Sequence, residues 1–184
     1  MYRLTRDSNG GTLAVEPAAW VSAGLGAAGI SGTIDGLGGN DLICGAAGDD
    51  RLSGGNGDDR IQGGGGRDTL DGGAGDDRLR GDSGDDTIIG GSGDDRVTFD
   101  SAPRGVTVDL ANGTASGEGI DTLTGIEDVS GSPFADSLTG NADHNRLLGR
   151  SGDDFLDGAQ GLDFLGGGPG TDRCINGEKL LGCE

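Results

Sequence analysis

The chain has 184 residues, of which 43 are glycine, and its formal net charge is −19 at pH 7. Aromatic residues make up only 3% of it, which excludes an ordinary globular core built from large side chains. The acidity argues against nucleic-acid binding, because a phosphate backbone requires a basic surface. No apolar run reaches the length of about 20 residues that a membrane span needs.

Residues 1–35 precede the regular part of the chain. Residues 1–26 follow no repeat, and residues 27–35 form a degenerate first unit that keeps only Ile34 at its core position. Two interpretations stay open for this segment: a cap with Trp20 over the first layer, or a disordered leader. Glu16 and Pro17 interrupt its apolar stretch, so we predict no signal peptide within it.

A nine-residue repeat occupies residues 36–98 in seven consecutive units. The pattern G-G-x-G-x-D-x-U-x, where U is aliphatic, is typical of a calcium-loaded parallel β-roll. Position six of the unit is aspartate throughout: Asp41, Asp50, Asp59, Asp68, Asp77, Asp86 and Asp95. Position eight is aliphatic throughout: Ile43, Leu52, Ile61, Leu70, Leu79, Ile88 and Val97. A flexible acidic linker would not keep both positions in register through seven units.

The chemistry of one unit predicts how the units stack. Glycines let the first six residues bend tightly, and the last three form a short strand whose position-eight side chain points inward. Two units make one turn, so every second unit stacks at about 4.8 Å, the strand spacing. The position-six carboxylates then approach each other and require a cation between them. Carboxylate and carbonyl oxygens are hard ligands, which suit calcium better than zinc or copper.

Residues 99–130 break the period and form a spacer. Val106, Val108 and Leu110 alternate with polar residues and predict a strand, and Asn112-Gly113 predicts a hairpin turn. Residues 116–124 briefly return to the nonapeptide frame. We therefore expect an inserted hairpin or a wider rung that joins two stacks.

The repeat resumes over residues 131–175 in five looser units. Position six is Asp136, Asn145, Asp154, Asp163 and Asp172, and position eight is Leu138, Leu147, Leu156, Leu165 and Cys174. The first two of these loops lack the second and fourth glycine, and rungs without metal are an open alternative there. The predicted fold is all-β: a parallel β-roll, or β-solenoid, of nonapeptides in two stacks with an intervening spacer.

Over about residues 32–175 the chain resembles the RTX, or hemolysin-type calcium-binding repeat, family. The spacer resembles one that recurs between such blocks, and residues 167–184 resemble the closing segment of secreted actinobacterial members. The resemblance implies that position-six aspartates and loop carbonyls bind calcium. The implied aspartate ligands are Asp41, Asp50, Asp59, Asp68, Asp77, Asp86, Asp95, Asp136, Asp154, Asp163 and Asp172. The implied carbonyl ligands are Gly54, Gly57, Gly63, Gly66, Gly72, Gly75, Gly90 and Gly93. Pairing every second unit gives about eight ions at most.

The three cysteines bear on the compartment. Cys174 and Cys183 flank the turn at Asn176-Gly177 near the C-terminus, which favours a disulfide that makes residues 176–184 a cap, although two buried thiols are the alternative. Cys44 is left over and implies either a partner thiol outside this chain or an exposed thiol. A disulfide indicates a location outside the cell, and so does a calcium site that needs about millimolar calcium.

The sequence predicts an extracellular protein that binds calcium ions and folds on binding them, without a catalytic centre. The single histidine, His144, lies in a loop next to Asp143 and Asn145 and has no nucleophile partner in the sequence. Two other functions remain open: a C-terminal secretion and folding module of an extracellular hydrolase or toxin, and an adhesive or cell-envelope structural protein. Calcium is the expected partner, and no macromolecular partner can be named from the sequence.

Overall fold

The computed structural model describes residues 31–184 and two short strands before them. In chain order the strands are β1 Thr12–Ala14, β2 Trp20–Val21, β3 Thr33–Asp35, β4 Leu42–Cys44, β5 Arg51–Asn56, β6 Arg60–Gly65, β7 Thr69–Ala74, β8 Arg78–Ser83, β9 Thr87–Ser92, β10 Arg96–Thr98, β11 Thr107–Asp109, β12 Thr114–Ser116, β13 Ile120–Thr124, β14 Asp128–Ser130, β15 Ser137–Thr139, β16 Arg146–Leu148, β17 Phe155–Asp157, β18 Phe164–Gly166, β19 Arg173–Ile175 and β20 Lys179–Leu181. The predicted capping position of the Trp20 side chain lies outside what the structure describes.

The strands form two sheets, and the chain crosses between them once in each nonapeptide. The first sheet has the order β1-β3-β5-β7-β9-β13-β12-β11-β15-β17-β19, and the second has the order β2-β4-β6-β8-β10-β14-β16-β18-β20. Leu52 pairs with Leu70 in the first sheet, and Ile61 pairs with Leu79 in the second, both in parallel strands. Each strand therefore stacks on the strand two units away, which confirms the predicted β-roll.

The core is a column of aliphatic side chains between the two sheets. The position-eight residues from Ile43 to Val97 are at most 2% exposed, and those from Leu138 to Leu165 are fully buried. Cys174, which takes this position in the last unit, is only partly buried against the column. One inward side chain in every strand is sufficient because the sheets lie close together on both sides of it. No helix in the described part of the chain is long and apolar enough to cross a membrane.

Five strands of the first block are longer than the three residues that the sequence predicts. Each of the strands β5 to β9 has six residues and continues into positions one to three of the next unit. Gly55 pairs with Gly73, and Asn56 with Ala74, so the ladder continues past the bend. The pairing requires a backbone at Gly55 with φ +104°, a region that glycine enters at no steric cost. The glycines that begin the loops thus also extend the sheets.

The spacer joins the two blocks within the sheets. In the first sheet, β11, β12 and β13 form an antiparallel meander, and its outer strands pair in parallel with β9 and β15. The turn between β11 and β12 contains Gly113 at φ +63°, where the sequence predicts a hairpin. In the second sheet, β10 pairs directly with β14. The two stacks thus form one continuous solenoid.

Candidate metal centre

The loops that connect the two sheets stack in two columns, and position six of each loop faces its neighbours along the column. One column contains Asp41, Asp59, Asp77, Asp95, Asn145 and Asp163, and the other contains Asp50, Asp68, Asp86, Asp136, Asp154 and Asp172. All of these side chains belong to residues that are at most 4% exposed. The structure therefore brings the predicted aspartates together in two buried rows.

Within each row, one carboxylate oxygen is fixed by the backbone of the loop before it. The Asp59 N–H donates to Asp77 Oδ1 at 2.7 Å, and the Asp77 N–H donates to Asp95 Oδ1 at 2.9 Å. The same bond, at 2.7 to 2.9 Å, joins Asp41 to Asp59, Asp50 to Asp68, Asp68 to Asp86, Asp136 to Asp154, and Asp154 to Asp172. These bonds orient each carboxylate and use only one of its two oxygens.

The second carboxylate oxygen lies near the position-one glycine of its own loop. Within residues 31–184, the Oδ2 atoms of the following aspartates are buried and accept no hydrogen bond: Asp59, Asp68, Asp77, Asp86, Asp95, Asp154, Asp163 and Asp172. A Cβ atom on Gly54 would overlap Asp59 Oδ2 and also the carbonyl oxygen of Gly72, in the next loop of the column. Buried oxygens without a donor are costly unless a cation compensates them.

The glycines predicted as carbonyl ligands lie in the same columns. At position one, the carbonyl oxygen of Gly72 faces Gly54 and that of Gly90 faces Gly72. At position four, the carbonyl oxygen of Gly57 faces Gly75 and that of Gly75 faces Gly93. Gly63 and Gly66 take positions one and four in the other column, where the carbonyl oxygens of Gly81 and Gly48 face them. Carbonyl and carboxylate oxygens therefore converge between the loops.

Burial raises the pKa of these carboxyl groups. The pKa rises to about 6 for Asp59, Asp68, Asp77, Asp86, Asp95 and Asp154. Desolvation is the largest cause; the backbone N–H bond lowers the pKa in part, and neighbouring aspartates raise it further. At neutral pH these six carboxyl groups are therefore mostly ionised although they are buried, which makes a bound cation favourable.

The donor set fits calcium. Among the described residues, no group of three or more His, Cys, Asp or Glu side chains converges as a metal site. At Gly54, Gly63 and Gly72, an aspartate oxygen and a backbone carbonyl oxygen of the next loop lie close together. Calcium accepts six to eight such ligands in a flexible geometry, whereas zinc prefers nitrogen and sulfur.

In three position-six side chains, both polar atoms at the end of the side chain form hydrogen bonds with other protein groups. Asp50 accepts N–H bonds from Gly32 and Ala46, one on each oxygen. Asp136 accepts from the Val106 N–H, the Ser132 N–H and the Ser132 hydroxyl group. Asn145 accepts from Asn141 N–H and donates to the carbonyl oxygen of Glu127. The two loops without the second and fourth glycine, which contain Asp136 and Asn145, thus satisfy position six with protein groups.

The comparison with family models matches the RTX calcium-binding nonapeptide repeat over residues 33–52, 45–79, 71–101, 130–165 and 139–174. These matches cover more than half of the chain. The chain belongs to the RTX calcium-binding repeat family. No curated protein matches the chain. This RTX protein is therefore a calcium-binding repeat protein, in a family whose β-rolls typically have structural or binding roles and whose members are typically secreted.

The cysteines of this RTX chain lie where the sequence predicts two of them to pair. Cys174 in β19 and Cys183, shortly after β20, form a disulfide bond with their Cα atoms 5.6 Å apart. The bond connects the last strand of one sheet to the segment that follows the last strand of the other. Cys44 is a free, half-buried thiol, and burial and the charge of Asp82 raise its pKa.

Three carboxylates outside the predicted ligand set also accept N–H bonds from the aspartate rows. Asp121 accepts the Asp86 N–H at 3.1 Å, Glu127 accepts the Asp95 N–H at 2.9 Å, and Glu178 accepts the Asp163 N–H at 2.5 Å. Asp121 takes position six of residues 116–124, so the return to the nonapeptide frame was a sufficient signal for it. Glu127 and Glu178 follow no nonapeptide spacing, and the repeat pattern gives no signal for them.

Proposed function

We propose that this RTX protein is an extracellular calcium-binding β-roll whose folding is driven by calcium between its stacked loops. The observation that supports the proposal most directly is the row of buried Oδ2 atoms that accept no hydrogen bond within the described residues. For Asp59, Asp68 and Asp77, a carbonyl oxygen of the next loop lies near the same position-one glycine as the Oδ2 atom. Calcium supplies positive charge that compensates these oxygens. Because both loops of a pair contribute ligands, binding and stacking are the same event.

Each residue type in the loop has its own task in this proposal. The position-six aspartates provide the carboxylate oxygens, and their Oδ1 bonds to the neighbouring backbone hold them in orientation. The glycines at positions one and four provide carbonyl oxygens, and their lack of a side chain leaves the space open. Asp59, Asp77 and Asp95 in one column, and Asp68 and Asp86 in the other, form the best-supported ligand set.

The number of ions follows from the pairs of successive loops. The seven units of the first block give five pairs in the two columns, and the five units of the second block give three. About eight ions is therefore the upper expectation for sites between two nonapeptide loops. The pairs that include Asp50, Asp136 or Asn145 are the ones most easily left without an ion, because protein groups already satisfy those side chains.

The disulfide supports the extracellular part of the proposal. Disulfides persist in oxidising compartments and are rare in the cytosol, and calcium concentrations outside the cell suit modules of moderate affinity. The Cys174–Cys183 bond therefore agrees with a protein that folds after export. Calcium, which is scarce inside the cell, would then be the signal that starts folding.

Far-ultraviolet circular dichroism during a calcium titration tests the coupling of binding and folding. The calcium-depleted protein should show little β-sheet signal at neutral pH, and calcium should restore that signal cooperatively, whereas magnesium should not. Metal counting at saturation gives the number of ions. A calcium-depleted sample with the full β-sheet signal would contradict the proposed mechanism.

Two neighbouring aspartates provide matched variants for the same experiment. Asp77→Asn removes one charge from a buried row, whereas Asp76→Asn removes one charge from an exposed position directly beside it. The amide retains a hydrogen-bond acceptor in both cases. The calcium midpoint should rise at least several-fold for Asp77→Asn and change little for Asp76→Asn. Equal shifts would mean that net charge, and not the buried row, determines calcium binding.

A further inference from the structure

The chain crosses between the sheets by a shortened loop at two places in the first column. A regular unit needs six residues to pass from the end of one strand to position six. After β13, only Gly125 and Ile126 precede Glu127, and after β19 only Asn176 and Gly177 precede Glu178. The strand register aligns Asp128 with Arg96 and Lys179 with Phe164, so the two glutamates stand at position six.

Both shortened loops begin with the same backbone conformation. Gly125 has φ +59° and Asn176 has φ +54°, both in the left-handed region. Glycine and asparagine are the residues that enter this region most readily, which explains their presence at these turns. Gly182, before Cys183 and Glu184, repeats the conformation with φ +66°. A three-residue loop with glutamate in third place is thus a recurring element of this chain.

At the first shortened loop, the geometry around Asp95 reproduces that of a regular pair. The Asp95 N–H donates to Glu127 Oε2 at 2.9 Å, and the Asp95 carbonyl oxygen accepts from the Asp128 N–H at 2.9 Å, as it does from position seven in a regular pair. Asp95 is fully buried, and within residues 31–184 its Oδ2 atom accepts no hydrogen bond. A Cβ atom on Gly90 would approach this Oδ2 atom and overlap the carbonyl oxygen of Gly125.

The second shortened loop repeats these contacts around Asp163. The Asp163 N–H donates to Glu178 Oε2 at 2.5 Å, and the Asp163 carbonyl oxygen accepts from the Lys179 N–H at 3.1 Å. Asp163 is 2% exposed, and its Oδ2 atom is likewise without a hydrogen bond among the described residues. A Cβ atom on Gly158 would approach both this Oδ2 atom and the carbonyl oxygen of Asn176.

Each junction therefore brings together a buried carboxylate oxygen, a carbonyl oxygen and a second carboxylate. A glutamate side chain is one methylene longer than aspartate, and in both loops it reaches the N–H that a position-six aspartate binds elsewhere. The four residues that a regular loop places between its first and sixth positions are reduced to one. Fewer carbonyl oxygens then face the space, so weaker binding than in a regular loop is expected.

We infer that Asp95, Glu127 and the Gly125 carbonyl oxygen form one calcium site, and that Asp163, Glu178 and the Asn176 carbonyl oxygen form another. The inference rests on the proposed calcium binding of the regular loops and adds ligands that no nonapeptide contains. The first site connects the first block to the spacer. The second site connects Asp163, just before β18, to Glu178, just before β20, which is the last strand of the second sheet. Calcium thus extends the row through both interruptions of the repeat.

Glutamine substitution distinguishes two roles of each glutamate: a metal ligand, which needs the negative charge, and a hydrogen-bond acceptor, which does not. Glu127→Gln and Glu178→Gln each keep an oxygen for the aspartate N–H and remove the negative charge. Calcium bound at saturation is counted by equilibrium dialysis against calcium chloride with elemental analysis, and circular dichroism monitors the fold. Each variant should bind one ion fewer than the wild type, and the double variant two fewer.

Glu118→Gln is the matched control, because Glu118 lies in the same spacer and contacts Ser101 Oγ, at 3.4 Å, instead of a backbone N–H of the row. It should bind the wild-type number of ions.

Wild-type counts in both Glu127→Gln and Glu178→Gln would overturn the inference while leaving the regular loops intact as calcium sites. A wild-type protein that binds no calcium would overturn the proposed function together with it. If Glu127→Gln loses its β-sheet signal, the count of Glu178→Gln decides, since that loop lies at the last rung.

Discussion

At the level of single residues, the glycines of the repeat are required for two different physical reasons. Gly55, at position two, has a positive φ that other residues adopt at a cost. Gly72, at position one, has no such conformation, but a Cβ atom there would overlap Asp77 Oδ2 and meet the Gly90 carbonyl oxygen. The second reason concerns space, and the space in question is the proposed calcium site. Glycine is therefore needed at position one because of the proposed site, and not because of the turn conformation.

An alanine pair tests this distinction. Gly72→Ala should lower the free energy of unfolding at saturating calcium by about 1–3 kcal/mol, the usual effect of overpacking, and should raise the calcium midpoint. Gly65→Ala, at position three, places its Cβ 3.4 Å from Ser83 Oγ and should change stability by less than about 0.5 kcal/mol. Denaturant unfolding at fixed calcium measures both values. Equal losses would show that the contacts of a Cβ atom at position one do not determine the effect of the substitution.

At the level of elements, the disulfide fastens the end of the roll. Cys174 belongs to β19, the last strand of the first sheet, and Cys183 follows β20, the last strand of the second. Leu180 is 50% exposed and Leu181 is 65% exposed, so the last rung has little core of its own. A terminal rung with one neighbour is the part of a solenoid that frays most easily. The bond restrains that rung where packing is weakest.

Reduction of this bond should matter most when calcium is scarce. Closing so short a loop contributes at most about 3 kcal/mol, and the contribution acts on rungs that calcium also stabilises. We expect reduction to lower the thermal midpoint at sub-saturating calcium and to leave the saturated protein nearly unchanged. Alkylation under native conditions checks the bond itself: only Cys44 should react. Modification of all three cysteines in the unreduced protein would contradict the bond.

The sequence predicts the order of the elements well because the repeat carries three constraints at once. The repeat has aspartate at position six, an aliphatic residue at position eight and glycines at the turn, all at the same nine-residue spacing. The register of the strands therefore follows from counting residues. The spacer meander could not be counted in this way, since β11 and β12 pair antiparallel and lack the repeat. The same holds for the shortened loops: Glu127 and Glu178 take position six only because strand pairing places them there.

At the level of the whole molecule, negative charge opposes the fold that the repeat encodes. The chain carries a net charge of −19, and the aspartate rows concentrate part of it inside the roll. Like charges at short distance in a buried setting favour any species that neutralises them. Calcium is one such species, and the proton is another. The balance between them determines how the stability of the roll depends on pH.

In the absence of calcium, the roll should become more stable as the pH falls. The folded-state pKa of Asp59, Asp77 and Asp95 is about 6, above the ordinary aspartate value of 3.8. The folded state therefore binds protons more tightly than the unfolded chain, and the stability that these protons provide is lost as the pH rises through about 6. With calcium present the direction reverses, because protons compete for the same oxygens, so the calcium midpoint should rise as the pH falls below about 6.

Circular dichroism of calcium-depleted protein tests the first of these trends. The β-sheet signal should be larger near about pH 5 than near about pH 7.5, and both values lie above the isoelectric point of about 4.1, where precipitation would interfere. Asparagine mimics the protonated carboxyl group, so a triple variant with Asp59→Asn, Asp77→Asn and Asp95→Asn should show a weaker pH dependence. The matched triple Asp58→Asn, Asp76→Asn and Asp94→Asn, at exposed positions, should retain it. A calcium-free signal that stays constant or grows as the pH rises would mean that repulsion within the rows does not oppose folding.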